Sequence, residues 1–314
     1  MRVAYLVTSY RNPEQVLRLA SALGEGPGSE VVISHNQREE PLAPRAVEAR
    51  GAHLLPHQQG VRWGSWEYLQ ALLRGFAWIT ERFDPDWVLV LSGQDYPLRP
   101  LGEIEAFLGE TGHDAFLGDV QQLDMDHRPE PPEDEFFLRY AYRHFELPES
   151  LPAGLRRRLS PRSLRSLFYL REPPEGLLAP RLGIRRLRTP YRDGFRCFVS
   201  SDWVTLSRRA LEALERAGAD RRLTRYYRRV YIPTESFIAT ALFNDPALDV
   251  AGENRRFVAF DEEGTHARVL TSADLDRLEA SGADFARKFD PAVDGDVLDA
   301  LDERRGRDFR RTSR

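Results

Sequence analysis

The chain has 314 residues, 41% of them hydrophobic and 30% charged, with a formal net charge of −4. That is enough chain for one large or two moderate domains with an ample core, and its slight acidity gives no basic footprint for a nucleic-acid partner. A single cysteine, Cys197, excludes an internal disulfide, and no apolar run approaches the roughly 18–20 residues needed to span a bilayer. The first residues lead straight into a strand-like run with no signal peptide, so the expected setting is a reducing cytoplasm.

In chain order, Val3–Thr8 reads as a strand. Asn12-Pro13-Glu14-Gln15 follows as a helix start, with Asn12 as N-cap, Pro13 in the first turn and Gln15 reaching back in a capping box. Val16, Leu17, Leu19, Ala20 and Leu23 give that helix a buried face, and Val31–Ile33 reads as a second strand. Ser65 caps a long helix carrying Trp66, Leu69, Leu72, Leu73, Phe76 and Ile79 at helical spacing. Val88–Leu91 is a continuous apolar run, as a strand buried on both faces requires. The alternation predicts an α/β fold with a mostly parallel sheet flanked by helices. Ligands of such sheets bind beyond the strands' carboxyl ends, which gathers Thr8–Tyr10, His35–Asn36 and Ser92–Asp95 around one crevice.

The pattern fails between 128 and 196, where Arg, Leu and Pro mix without a sustained period; an irregular insertion with short helices is expected on the acceptor side. Regularity returns with a strand at Trp203–Leu206, a helix at Ser207–Ala217, a helix after Pro233 and another from about Ser272 to Ala280. With no repeat and no low-complexity linker, residues 1–303 are expected to form one domain, followed by a basic tail at 304–314.

Three strings carry the functional signal through their order and spacing: Leu-Ser-Gly-Gln-Asp-Tyr-Pro at 91–97, Ile-Pro-Thr-Glu-Ser-Phe at 232–237 and Phe-Ala-Arg-Lys-Phe-Asp at 285–290. Together they resemble the core-2/I-branching β-1,6-N-acetylglucosaminyltransferase and peptide-O-xylosyltransferase family, glycosyltransferase family 14. The resemblance runs from Tyr5 to about Leu301 and is weakest at 120–195. It implies a GT-A-like fold, related to the Rossmann fold. It also implies inverting transfer of N-acetylglucosamine or xylose from a UDP-sugar to an acceptor hydroxyl, without a metal cofactor. The acceptor it implies is a hydroxyl of a carbohydrate, glycolipid or protein.

The resemblance implies a role for each of several residues. Glu235 matches the family's general base, with Thr234 where an Asp is usual. A base is what such a transfer needs, because one carboxylate must take the acceptor's proton as its oxygen attacks the anomeric carbon. At a helix start the dipole should keep Glu235 ionised; a plain first-turn Glu would look the same. Lys288 matches a lysine on the donor diphosphate, and Arg268 is the candidate for its arginine partner. Positive charge there offsets the charge building on the leaving UDP, although both side chains also suit surface salt bridges. Trp63 matches a tyrosine that stacks on uracil, and Asn36 stands where an aspartate contacts that base. Asp95 is placed beside the donor sugar, or is a turn residue bonding its own backbone. Trp203, after Ser200-Ser201-Asp202, resembles a signature lining the site. Phe260 falls where the branching enzymes stack an acceptor, and is otherwise a core aromatic.

Metal-dependent GT-A transferases use an Asp-x-Asp pair at the end of a buried strand. Of Asp84–Asp86, Asp124–Asp126 and Asp294–Asp296, only the second follows a strand-like run, here with His127 beside it. Two rivals stay open: a glycoside hydrolase, for which Asp95 is the obvious second carboxylate, and a sugar-nucleotide-binding protein that has lost catalysis. The Arg-rich tail reads as a solvated terminus or as a peripheral contact with anionic lipid.

Overall fold

The computed structural model describes residues 1–56, 61–126, 135–148, 150–158, 164, 166–171, 180–261 and 267–312. The first half contains β1 (Val3–Ser9), α1 (Pro13–Leu23), β2 (Ser29–His35), α2 (Pro44–Glu48), β3 (His53–Leu54), α3 (Trp66–Phe83), β4 (Trp87–Ser92), β5 (Asp95–Pro97), α4 (Leu101–Glu110), β6 (Ala115–Leu117) and β7 (Gln121–Leu123). The middle adds α5 (Glu135–Ala141), β8 (Tyr142–Glu146), α6 (Ala153–Arg158), β9 (Phe168–Arg171), β10 (Arg181–Arg185) and β11 (Cys197–Val199). The chain continues through β12 (Val204–Ser207), α7 (Arg208–Ala219), α8 (Arg221–Tyr227), α9 (Thr234–Phe243), β13 (Val250–Ala251) and β14 (Arg256–Val258), then α10 (Leu275–Ala280), β15 (Phe285–Arg287) and α11 (Asp296–Thr312).

A seven-stranded sheet in the order β13-β6-β12-β4-β1-β2-β3 organises these elements. Every neighbouring pair is parallel except the two made by β12, so the sheet is mostly parallel. Alternation along β1 fixes both layers. Ala4 and Leu6 join the core under α3, α7 and α9, while Val3, Tyr5 and Val7 join the one under α1, α2, α4 and α11. Both faces are therefore covered by helices, and each fully buried Leu or Val contributes about 1.5–3 kcal/mol. The chain leaves β1 toward β2 on one side and toward β4 on the other. The reversal opens a crevice at the carboxyl ends of these three strands.

Ser65 caps α3 as its sequence predicts, its hydroxyl accepting from Tyr68 N at 3.2 Å. The capping box at α1 does not form. Asn12 takes a left-handed backbone with no side-chain cap, and the Gln15 amide donates to Phe289 O at 3.0 Å. Part of the segment expected to be irregular is instead a three-stranded antiparallel sheet, β8-β10-β9. Its inner face stacks Tyr169 over Gly183, where a Cβ would stand 2.1 Å from the ring. The start of the basic tail, at Arg304 and Arg305, is likewise built into the domain. Helix α11 runs through position 304, Arg304 pairs with Glu279 at 2.7 Å, and Arg305 is buried against Asp302 and Glu25.

Candidate active site

At one end of the crevice Pro233 leads into α9, and Ser200 N donates to Glu235 O at 2.7 Å, fastening the helix start to the 200–203 turn. The Glu235 side chain is 21% exposed and accepts from Arg139 Nη1, on α5, at 2.5 Å. Burial first, then the nearby Asp202 carboxylate, push its pKa up to about 7 against the pull of Arg139. Desolvation and a like charge thus oppose the pull of the helix start and of Arg139 toward the ionised form.

Asp202 is the second carboxylate. It is buried, its Oδ2 accepts from Trp63 Nε1 at 2.9 Å, and its Oδ1 has no hydrogen bond among the described residues. The Thr234 hydroxyl lies against the same carboxylate but outside hydrogen-bond geometry. Burial raises the Asp202 pKa, while Thr234, Trp63, Arg287 and Arg139 oppose the rise.

Toward the other end, the Arg287 guanidinium stacks on Trp203 at 4.1 Å and lies 3.3 Å from Asp95. Asp95 is fully buried, accepting from Ser92 N at 2.9 Å and Ser92 Oγ at 2.5 Å. Its oxygens are used within the protein, so it positions Arg287 and does not line the crevice as expected. Lys288 is the chain's one lysine and is half-buried. Burial, Arg11 and Arg287 lower its pKa, opposed by Asp290 and Asp261, and it makes no ion pair among the described residues. Arg11, just past β1, has a buried Nε without a hydrogen bond. Arg11, Arg287 and Lys288 thus concentrate positive charge at the sheet's carboxyl edge.

Arg268 is not part of that concentration. Both its terminal nitrogens are engaged by Asp274, which raises its pKa and neutralises its charge within the protein. The Asn36 amide is committed too: Nδ2 donates to Val61 O at 3.1 Å and Oδ1 accepts from Arg38 N at 3.3 Å. Asn36 thereby anchors the segment bearing Trp63, which is 44% exposed and hydrogen-bonded toward Asp202. Thr8 lies on the crevice floor, donating to Leu91 O at 3.3 Å. Beside it is the Tyr68 phenol, raised in pKa by burial and then by Asp202. Phe260 is 54% exposed, an accessible aromatic and not a core one.

The structure therefore brings together Glu235, Trp63, Trp203, Thr8 and Lys288, and adds Asp202, Arg139, Tyr68 and Arg11. Asp202 adjoined a recognised string, and Arg11 sat where a parallel sheet places ligand contacts. Nothing in the sequence marked Arg139. Asp84 pairs with Arg2 and Arg208, and Asp294 caps Ser272 N and Val297 N. Asp124 and Asp126 share a turn after β7; His127 lies outside the described residues. No group of three or more His, Cys, Asp or Glu side chains converges among the described residues.

Fold and site define an α/β protein with two carboxylates and a cation cluster along the carboxyl edge of its sheet. No protein-family model matches the chain, and no curated protein matches it. Among solved structures it is similar to one assigned as a glucose-1-phosphate thymidylyltransferase from Bacillus anthracis, in complex with a sucrose. The identity is 8%, 88% of this chain and 94% of that chain are covered, and the TM-score is 0.37. At that score the likeness carries no functional argument. No helix among the described residues is long and apolar enough to cross a membrane.

Proposed function

We propose that this protein is an inverting glycosyltransferase of the GT-A type, related to glycosyltransferase family 14. It moves N-acetylglucosamine or xylose from a UDP-sugar to an acceptor hydroxyl. One relationship carries the reading: the Glu235 carboxylate, pushed up in pKa by burial and by Asp202, belongs to the same chain of electrostatic contacts as the cations Arg287, Lys288 and Arg11. Glu235 acts on Asp202, Asp202 feels Arg287, and Arg287 acts on Lys288 beside Arg11. Glu235 takes the proton of the acceptor hydroxyl as its oxygen bonds to the anomeric carbon from the face opposite the leaving group. The anomeric carbon–oxygen bond breaks, and UDP leaves with its new charge against Lys288, Arg287 and Arg11. Trp63 offers its exposed ring to the ligand, and Phe260 offers an aromatic surface to the acceptor. The reading takes no metal, since the cations supply the electrophilic assistance.

A second assignment of the base is favoured by a specific contact. Glu235 is tied to Arg139, whereas Oδ1 of Asp202 is free of hydrogen bonds among the described residues. In that version Asp202 takes the proton, and Glu235 with Arg139 binds substrate hydroxyls. The test is UDP release from UDP-N-acetylglucosamine and UDP-xylose by wild type, Glu235→Gln and Asp202→Asn. Loss of the base lowers turnover about 10²–10⁴-fold while UDP still binds. Wild-type turnover in both variants would overturn the transferase reading.

A further inference from the structure

The small sheet β8-β10-β9 has two unlike faces. Cross-strand partners share a face, so His144, Gly183 and Tyr169 form one row, and Glu146, Arg181 and Arg171 the next. These point inward: His144 bonds the Tyr169 hydroxyl at 2.5 Å, and the Arg171 and Arg181 guanidiniums lie over the buried Tyr231 at 4.4 and 5.3 Å. The register turns Phe145, Leu182, Leu170 and Ile184 to the other side. Each is only half-buried, and among the described residues none packs into a hydrophobic core.

Further exposed apolar residues lie at the end of this sheet. Leu167 O accepts from Arg185 N at 2.8 Å and Leu167 N donates to Leu164 O at 2.9 Å, which sets the exposed Leu164 and Leu167 beside the end of β10. Leu187, two residues further on, is 98% exposed and is followed by exposed Arg188. Arg143 and Arg229 flank the Phe145 ring at 5.1 and 5.2 Å. Arg143, Arg188 and Arg229 make no ion pair among the described residues. Residues 135–196 hold 14 Arg and 6 acidic residues in a protein of net charge −4.

We propose that this face docks the protein onto an anionic lipid surface. An apolar centre with arginines around it fits the boundary between acyl chains and headgroups: leucines enter the bilayer while guanidiniums hold the anionic headgroups. A polyanion such as RNA would engage the arginines but leave the solvent-facing leucines without a role, so charge and apolarity together select the bilayer. The inference stands apart from the catalytic reading, although Tyr231 under the inner face precedes Glu235 by four residues. Docking would hold the crevice close to acceptors presented at the membrane.

The experiment is flotation of the full chain with vesicles of phosphatidylcholine alone and of phosphatidylcholine with phosphatidylglycerol. Three variants are compared: Leu167→Ser/Leu187→Ser, Arg143→Glu/Arg188→Glu, and Arg2→Glu on the far end of the main sheet as a charge control. The wild type should float only with the anionic vesicles. Either double variant should weaken binding roughly tenfold or more, with unchanged far-UV circular dichroism, and the control should bind as wild type. High salt should release the protein. No flotation overturns the proposal, as does equal binding to both vesicle types. Loss of flotation in the control to the same degree, or binding to RNA with none to anionic vesicles, also overturns it.

Discussion

Arg139 Nη1 lies 2.5 Å from Glu235 Oε2, joining the helix before the small sheet to the start of the helix that carries the proposed base. The same guanidinium is paired with Glu135, and its Cζ lies 6.0 Å from the Tyr231 ring centre. It holds one rotamer of Glu235 and favours the ionised form, opposing the rise caused by burial and Asp202.

The pH dependence follows from that balance. A base works only when deprotonated, so with a pKa of about 7 the value of kcat/KM should rise with pH and level off above it. Arg139→Gln removes the favourable charge and should move this acid limb to higher pH. An unmoved limb would mean that another group is being titrated.

Asp202→Asn has the opposite sign. Removing a like charge from beside Glu235 lowers its pKa, so the acid limb should move to lower pH with activity retained if Glu235 is the base. If Asp202 is the base, the same variant should lose about 10²–10⁴-fold in turnover at every pH. Profiles of the two variants, side by side, decide between the assignments.

Some of this site was legible in the sequence and some was not, for physical reasons. Ser65 and the apolar spacing of α3 are local signals, and both appear as read. The Asn12–Gln15 box is equally local in pattern, yet Gln15 bonds a carbonyl 274 residues away. The role of Asp202 depends on burial and on Trp63, 139 residues distant, neither of which a single string encodes. Arg268 reads as a free cation in the sequence, because its pairing with Asp274, six positions on, leaves no mark there. The strands β8, β9 and β10 have five, four and five residues, with arginine on both faces, so their alternation was masked.

Gly183→Ala should destabilise the small sheet. The added methyl would meet the Tyr169 ring at 2.1 Å, and Tyr169 is pinned by His144. Forcing the ring aside should cost about 1–3 kcal/mol, measurable as a lower thermal midpoint. Gly154→Ala, in α6, meets nothing within 4 Å among the described residues and should not lower the midpoint, which makes it the comparison.

Chelation probes the electrophile. With Lys288, Arg287 and Arg11 offsetting the leaving charge, UDP-sugar turnover should be unchanged after exhaustive EDTA treatment. Loss of turnover that returns with Mn would assign the electrophilic role to a metal ion held by Asp124 and Asp126.

The most direct test of the central claim uses the protein's one lysine. An amine-reactive reagent can modify only Lys288 and the α-amino group, and the depressed pKa of Lys288 leaves more of it in the reactive neutral form. Labelling at Lys288 should be suppressed by UDP but not by uridine, because the proposed contact is to the diphosphate. In calorimetry, Lys288→Ala should weaken UDP binding by about 1.5–3 kcal/mol and leave uridine binding unchanged. Arg11→Ala should do the same, and the double variant should be less than additive. Equal labelling of Lys288 with and without UDP, together with unaltered UDP affinity in both single variants, would contradict the account.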